Sequence, residues 1–229
     1  MASETKTATR AEGLVGYGGG EGKPARLPSP PTQARGVEKR DRIYRAALAR
    51  YEDNGIASTR VEDVIADAEV SWATFFRYFP RKEDVLIELA ARHYRDRVRA
   101  VADQGMRDQR LRVRTVTERT FAALLRPGEG SPALHSAALL EVFANPASFA
   151  ALVDEGHPQP MVGLVAELLA EAQRRGELRP GLDPGAAALT VVAGALLPGA
   201  QAAAAGIDPI EPVNSALDLI WGGLASRES

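Results

Sequence analysis

The chain has 229 residues, 45% of them hydrophobic and 25% charged, with no cysteine. That composition suits a globular protein with one large domain, or one medium and one small domain. It excludes disulfides, thiolate metal sites and cysteine nucleophiles, and it fits a reducing cytoplasm.

The net charge of −2 conceals an asymmetry. Residues 1–126 carry 24 basic and 18 acidic side chains, whereas residues 127–229 carry only 4 and 12. A polyanionic partner would therefore meet the front of the chain. Residues 1–36, rich in Gly, Pro, Ser and Thr, are expected to form a disordered tail. No apolar run of the kind an export signal needs occurs in the first thirty residues. The run GYGGGEGK, residues 16–23, fails as a phosphate-binding loop, because Tyr17 stands where Gly is required and Pro24 follows Lys23.

From residue 37 onward the pattern is helical. Tyr44, Ala47, Leu48 and Tyr51 recur at i, i+3, i+4 and i+7, and this helix should end near Gly55. A short helix is expected from Thr59, where Thr59-x-x-Glu62 reads as a capping box before Val61, Val64 and Ile65. After a break near Glu69 a third helix starts with Ser71 as its N-cap. Pro80 interrupts it, and a long fourth helix is expected from about Arg81 to near Gly105. Further helices are expected over about 109–125, 132–144, 147–155, 160–175, 184–205 and 210–225, separated by Gly- and Pro-rich turns. No alternating β pattern of useful length appears, so the fold class is all-α. Residues 184–207 carry no charge and are long enough to span a membrane. Their Ala/Gly content, Pro198 and the flanking Asp183 and Asp208 favour instead a helix packed between others, with no membrane partner.

Residues 39–79 thus read as a helix, a short helix, a three- or four-residue break and another short helix, the plan of a helix-turn-helix that lays its second short helix in the DNA major groove. Within that last helix, SWATFFRYFPRK (71–82) combines five rings, Trp72, Phe75, Phe76, Tyr78 and Phe79, with Arg77, Arg81 and Lys82. Helical periodicity brings Phe75 and Phe79 together, facing the first two helices. Trp72 stands in the first turn, where both the apolar stripe and the DNA-facing edge are open to it.

The run RIYRAALARYEDNGIASTRVEDVIADAEVSWATFFRYFPRKEDVL, residues 42–86, resembles the DNA-binding region of the tetracycline-repressor (TetR) family. The features that carry the resemblance are Ile43, Ala46-Ala47, Gly55, Val61-x-x-Val64, Val70-Ser71, Tyr78-Phe79, Lys82 and Leu86. The resemblance implies a helix-turn-helix domain over 37–83 and a helical ligand-binding and dimerisation domain over 84–229. It also implies DNA contacts from Ser71, Trp72, Ala73, Thr74, Phe76, Arg77 and Tyr78, a phosphate-binding Lys82, and Thr59 and Arg60 beside the DNA backbone. Three positions depart from the family pattern. Glu69 stands where Gly is usual, Phe76 where Tyr is usual, and Arg60 where a small polar residue is usual. If the turn at Glu69 needs φ > 0, it is strained by about 1 kcal/mol.

The resemblance further implies a homodimer through the last two helices. Ala and Gly at 193–206 would allow close helix approach, and Leu217, Ile220, Trp221 and Leu224 form one stripe. It implies an unknown small-molecule effector in the middle helices, with Phe121, Leu125, Leu140, Phe143, Phe149, Met161, Leu164 and Leu168 as candidate lining. Nothing in the pattern points to an enzyme, a cofactor or a metal. His93, His135 and His157 are far apart, His93 and Asp96 lack a third ligand, acidic pairs such as Asp154-Glu155 should face water, and no G-x-S-x-G motif occurs. The expected function is a dimeric transcriptional regulator, a repressor released from its double-stranded DNA operator by a ligand. The alternative is a helical ligand-binding or scaffold dimer that no longer reads DNA, suggested by Glu69 and Phe76.

Overall fold

A computed structural model describes residues 27–28, 31, 33–153, 159–204 and 207–225. Most of the expected tail, its Gly-rich run, Asp154-Glu155 and His157 lie outside the described residues. The elements run α1 (Ala34–Asn54), α2 (Val61–Ala68), α3 (Trp72–Tyr78) and α4 (Asp84–His93), then a π-helical turn (Tyr94–Arg99) that leads straight into α5 (Ala100–Arg107). They continue with α6 (Val113–Leu125), α7 (Pro132–Ala144), α8 (Pro146–Val153), α9 (Pro160–Arg174), α10 (Pro184–Ala204) and α11 (Ile210–Leu224). Among the described residues there is no β-strand, only an antiparallel bridge between Leu178 and Ala225. No helix among them is long and apolar enough to cross a membrane singly.

Local chemistry explains most boundaries. Pro132, Pro146, Pro160 and Pro184 each open a helix, where a missing N–H costs nothing. Ser71 and Ser131 accept from the backbone N–H groups of Thr74 and Leu134 and cap α3 and α7. Three expectations are corrected. The first helix starts at Ala34 rather than 37, and Leu27 is buried with its N–H donating to Ser148 Oγ of α8, so the end of the expected tail is ordered against the body. No capping box forms at Thr59, because this buried hydroxyl turns back to the carbonyls of Arg50 and Gly55. The fourth helix begins at Asp84, not Arg81. The Asp84 carboxylate accepts from the Arg81 N–H and guanidinium, which holds residues 81–83 as a turn.

Two apolar clusters form the core. One joins α1–α4 to α7 and α8 through Ile43, Tyr44, Phe75, Phe79, Leu86 and Phe149. The other joins α6, α9, α10 and α11 through Phe121, Leu168, Val191, Leu217 and Trp221. Leu139, Met161 and Leu196 touch both.

A buried ionic network fastens α1 to α4. Arg40 donates to Glu88 at 2.8 Å, Arg92 donates to Glu88 at 3.0 Å and to Asp41 at 2.8 Å, and Arg92 lies 3.9 Å over the Tyr44 ring. Burial raises the Glu88 carboxyl pKa, but the flanking Arg40 and Arg92 charges outweigh this and hold it below the usual range.

Candidate nucleic-acid interface

Helices α2 and α3 meet through a turn at Val70 and the left-handed Glu69, φ 51° and ψ 49°. The turn does need φ > 0 at this position, and Glu69 adopts it. Beyond it, α3 is split lengthwise. Phe75 and Phe79 are fully buried, as expected, and Tyr78 is nearly so. Ser71, Trp72, Ala73, Phe76 and Arg77 form the outward ridge, with Thr74 half-buried at its edge. Trp72 resolves towards the surface. It is 49% exposed, Phe76 is 40% exposed, and their rings stack with centroids 5.5 Å apart and planes 20° from parallel. The Ser71 and Thr74 hydroxyls lie 2.9 Å apart, and Ser71 also accepts the Thr74 N–H.

Three expected contact residues are engaged elsewhere. Lys82 Nζ donates to the carbonyls of Ile56, Ala57 and Thr59 at 2.8–3.0 Å, so all three ammonium protons clamp the α1–α2 loop instead of standing free for a phosphate. Thr59 is buried in that loop. The Tyr78 hydroxyl accepts from Arg77 at 3.0 Å while the Arg77 guanidinium lies 4.9 Å over the Tyr78 ring. Arg60 is on the surface, paired with Asp63.

Charge on the domain is unevenly compensated. Arg40, Arg42, Arg45, Arg50, Arg60 and Arg81 each face a carboxylate. Arg35, Lys39 and Arg77 have no carboxylate partner among the described residues. The first turn of α1, which carries Arg35, approaches the end of α3: a Cβ at Gly36 would stand 3.4 Å from the Tyr78 hydroxyl, itself bonded to Arg77. Arg35 and Lys39 escaped sequence reasoning because the first of them fell inside the expected tail. The signal was present in their i, i+4 spacing on the solvent side of α1.

The candidate ligand lining divides. Phe121, Leu125 and Leu168 belong to the second core cluster, Phe149 and Leu164 to the first, and half-buried Met161 to the seam between them. Leu140 and Phe143 lie apart from both clusters, on the outer face of α7 at 68% and 61% exposure. An open concavity of about 330 Å³ lies elsewhere, lined by Arg179, Asp183, Ala186, Thr190, Ile220 and Leu224. No group of three or more His, Asp or Glu side chains is placed to hold a metal ion among the described residues. His93 and His135 instead stack edge-to-face, 4.8 Å apart.

The stripe expected to join two subunits also divides. Leu217 and Trp221 are buried in their own subunit, with Ile220 and Leu224 half-covered. The small residues of α10 serve this internal packing. A Cβ at Gly194 would come within 2.7 Å of Ile220, and one at Gly199 within 2.8 Å of Val213. Leu189, Leu197 and Leu219, on the other side of the pair, remain exposed.

Comparison with known proteins agrees with this geometry. Residues 43–89 match the family described as "Bacterial regulatory proteins, tetR family". The uncharacterized HTH-type transcriptional regulator YdgC of Bacillus subtilis is 26% identical over 92 residues, covering 40% of this chain and 47% of that protein, so the match spans about half the length of this curated relative. Among solved structures, FadR of Thermus thermophilus, a TetR-family transcriptional repressor in complex with lauroyl-CoA, is 28% identical with a TM-score of 0.62, covering 83% of this chain and 97% of that one. A putative TetR-family regulator from Mesorhizobium loti, 15% identical, shares the fold with a TM-score of 0.59, covering 85% and 100% of the two chains.

Proposed function

We infer that the chain, whose residues 43–89 match the TetR family, is a transcriptional regulator of that family: a dimeric repressor released from a specific DNA operator by a small molecule. The observation that carries the DNA-binding part is the outward ridge of α3, seated on buried Phe75 and Phe79 and flanked by the uncompensated cations Arg35, Lys39 and Arg77. In this reading Ser71, Trp72, Ala73, Thr74 and Phe76 face base edges, while Arg35, Lys39, Arg60 and Arg77 face phosphates. Lys82 and Thr59 act through position. By holding the α1–α2 loop they set the height of α2 and hence the entry angle of α3. With Glu69 in the left-handed conformation between α2 and α3, the two helices still meet through a turn, which weighs against the scaffold alternative.

Two copies are required to read half-sites roughly 34–36 Å apart, or multiples of that. The exposed apolar side of α10 and α11, with Leu189, Leu197 and Leu219 among Ala186, Ala193 and Ser215, supplies a self-complementary face for a twofold contact. An apolar or amphipathic effector is supported by likeness to the lauroyl-CoA-bound repressor. The seam between the two core clusters, at Leu139, Met161 and Leu196, is where such a ligand would part the helices.

The test is selection by the full chain from a random-sequence duplex library. A palindromic motif should emerge, and log affinity should fall linearly with log salt. The triple variant Arg35→Ala/Lys39→Ala/Arg77→Ala should flatten that slope by about 0.9 for each phosphate left without its cation. Failure to enrich any motif would overturn the reading.

A further inference from the structure

We propose that the α3 ridge identifies its operator chiefly by the 5-methyl groups of thymine, gripped by the stacked Trp72–Phe76 plate, rather than by hydrogen bonds to base edges. The inference rests on the DNA-binding reading above and names what that site recognises.

It starts from what the ridge lacks. Base edges in the major groove are distinguished by donors, by acceptors and by one apolar feature, the thymine methyl. Side chains that read donors and acceptors are Arg, Lys, Asn, Gln, Asp and Glu, with Ser and Thr less selective. Among Ser71, Trp72, Ala73, Thr74, Phe76 and Arg77 only one of the first group occurs. That one, Arg77, leans away from the centre of the ridge, with its guanidinium over the Tyr78 ring and bonded to the Tyr78 hydroxyl. The two hydroxyls share one hydrogen bond at 2.9 Å, and Ser71 also caps the helix by accepting the Thr74 N–H. Turning Ser71 towards a base would give up that cap, and turning Thr74 would give up their mutual bond.

What the ridge offers is apolar. Trp72 and Phe76 stand one turn apart, and their near-parallel rings make a continuous surface, with the Ala73 methyl beside it. The rings are held from below, since Phe76 packs edge-on against fully buried Phe75 at 5.2 Å. Such a plate is presented to solvent at a cost that a partner must recover. Inside a major groove, flanked by cations that hold the backbone, the apolar partner within reach is the row of thymine methyls. Phe76, with no phenolic oxygen, fits that partner better than it fits a phosphate.

The experiment uses the full chain and the duplex it selects. Each thymine of the selected half-site is replaced singly by deoxyuridine, which removes the methyl and keeps the hydrogen-bonding pattern. Separately, the T·A pair is replaced by 5-methylcytosine·G, which keeps the methyl and exchanges the O4 acceptor for an amino donor. For the unmodified protein, deoxyuridine at one or more positions should weaken binding about three- to fivefold per methyl, roughly the transfer free energy of one buried carbon group. The 5-methylcytosine duplex should retain most of the affinity. In Trp72→Ala or Phe76→Ala, both surface changes that leave the buried rings in place, the deoxyuridine penalty at the matching position should vanish. Equal binding to thymine and deoxyuridine at every position would overturn the proposal while leaving DNA binding intact, and so would a penalty unchanged in both variants. Failure to select any duplex would overturn this proposal together with the reading beneath it.

Discussion

Glu69 is the one non-glycine among the described residues held at positive φ. Its Cβ crowds the backbone in the left-handed region, at a cost of roughly 1–2 kcal/mol. Its carboxylate recovers little, reaching only Arg42 at 3.9 Å on an exposed surface. Glu69→Gly should therefore raise the urea midpoint by a net gain of about 1 kcal/mol, after the greater chain entropy of glycine is set against the relief of strain. An unchanged or lower midpoint would show that the turn is not strained. At this scale the sequence was legible where chemistry is local. The left-handed turn, the Ser71 cap and the division of Phe75 and Phe79 from the surface all follow from short-range rules. Lys82 was not legible, since the carbonyls that occupy it lie 23 to 26 positions earlier and no periodicity records them.

Among the elements, α6 ends in an unusual way. Its last-turn carbonyls at Ala123 and Leu124 accept from His93 Nε2 of α4 and His135 Nε2 of α7, both at 2.8 Å. Each ring must carry its proton on Nε2, and His93 Nδ1 is buried without a partner. Burial pushes both imidazoles below their ordinary pKa; nearby Arg97 adds to the effect at His93, as does His93 itself at His135, while Asp96 opposes it at His93. The unfolded chain thus binds these protons more readily than the folded one. Their contribution to stability is present above the unfolded value of about 6.5 and is lost as pH falls through the lowered folded values. The thermal midpoint should drop between pH 7 and pH 5. The double variant His93→Gln/His135→Gln, which keeps an N–H donor but cannot titrate, should drop less over that window. Equal slopes would discard the idea. The helices themselves were readable almost to the residue wherever Pro or Gly punctuates them. The π-helical turn at Tyr94–Arg99 was not, because its apolar residues, Tyr94 and Val98, keep the spacing of an ordinary helix.

For the whole molecule, the surface on which the proposed dimer depends is the side of α10 and α11 that carries Leu189, Leu197 and Leu219. Leu219 is 81% exposed, so a charge there does not disturb the subunit's own core. Leu219→Glu should keep the helical circular dichroism and the thermal transition of the subunit, sediment as a monomer at concentrations where the parent is a dimer, and bind its operator far more weakly. A variant that still sediments as a dimer would place the subunit interface elsewhere. Of the stripe expected to join two subunits, Leu217 and Trp221 satisfy the spacing rule by turning inward, so the proposed contact uses the exposed side of the same two helices. The fastening of α1 to α4 sets how far a signal must travel. Glu88, which grips the reading head, and His93, which grips the end of α6, are five residues apart on one rigid rod, about 7.5 Å along its axis. In the proposed regulator, a nudge at the end of α6 would reach α1 through a lever less than two turns long, with Arg40 and Arg92 as its bolts.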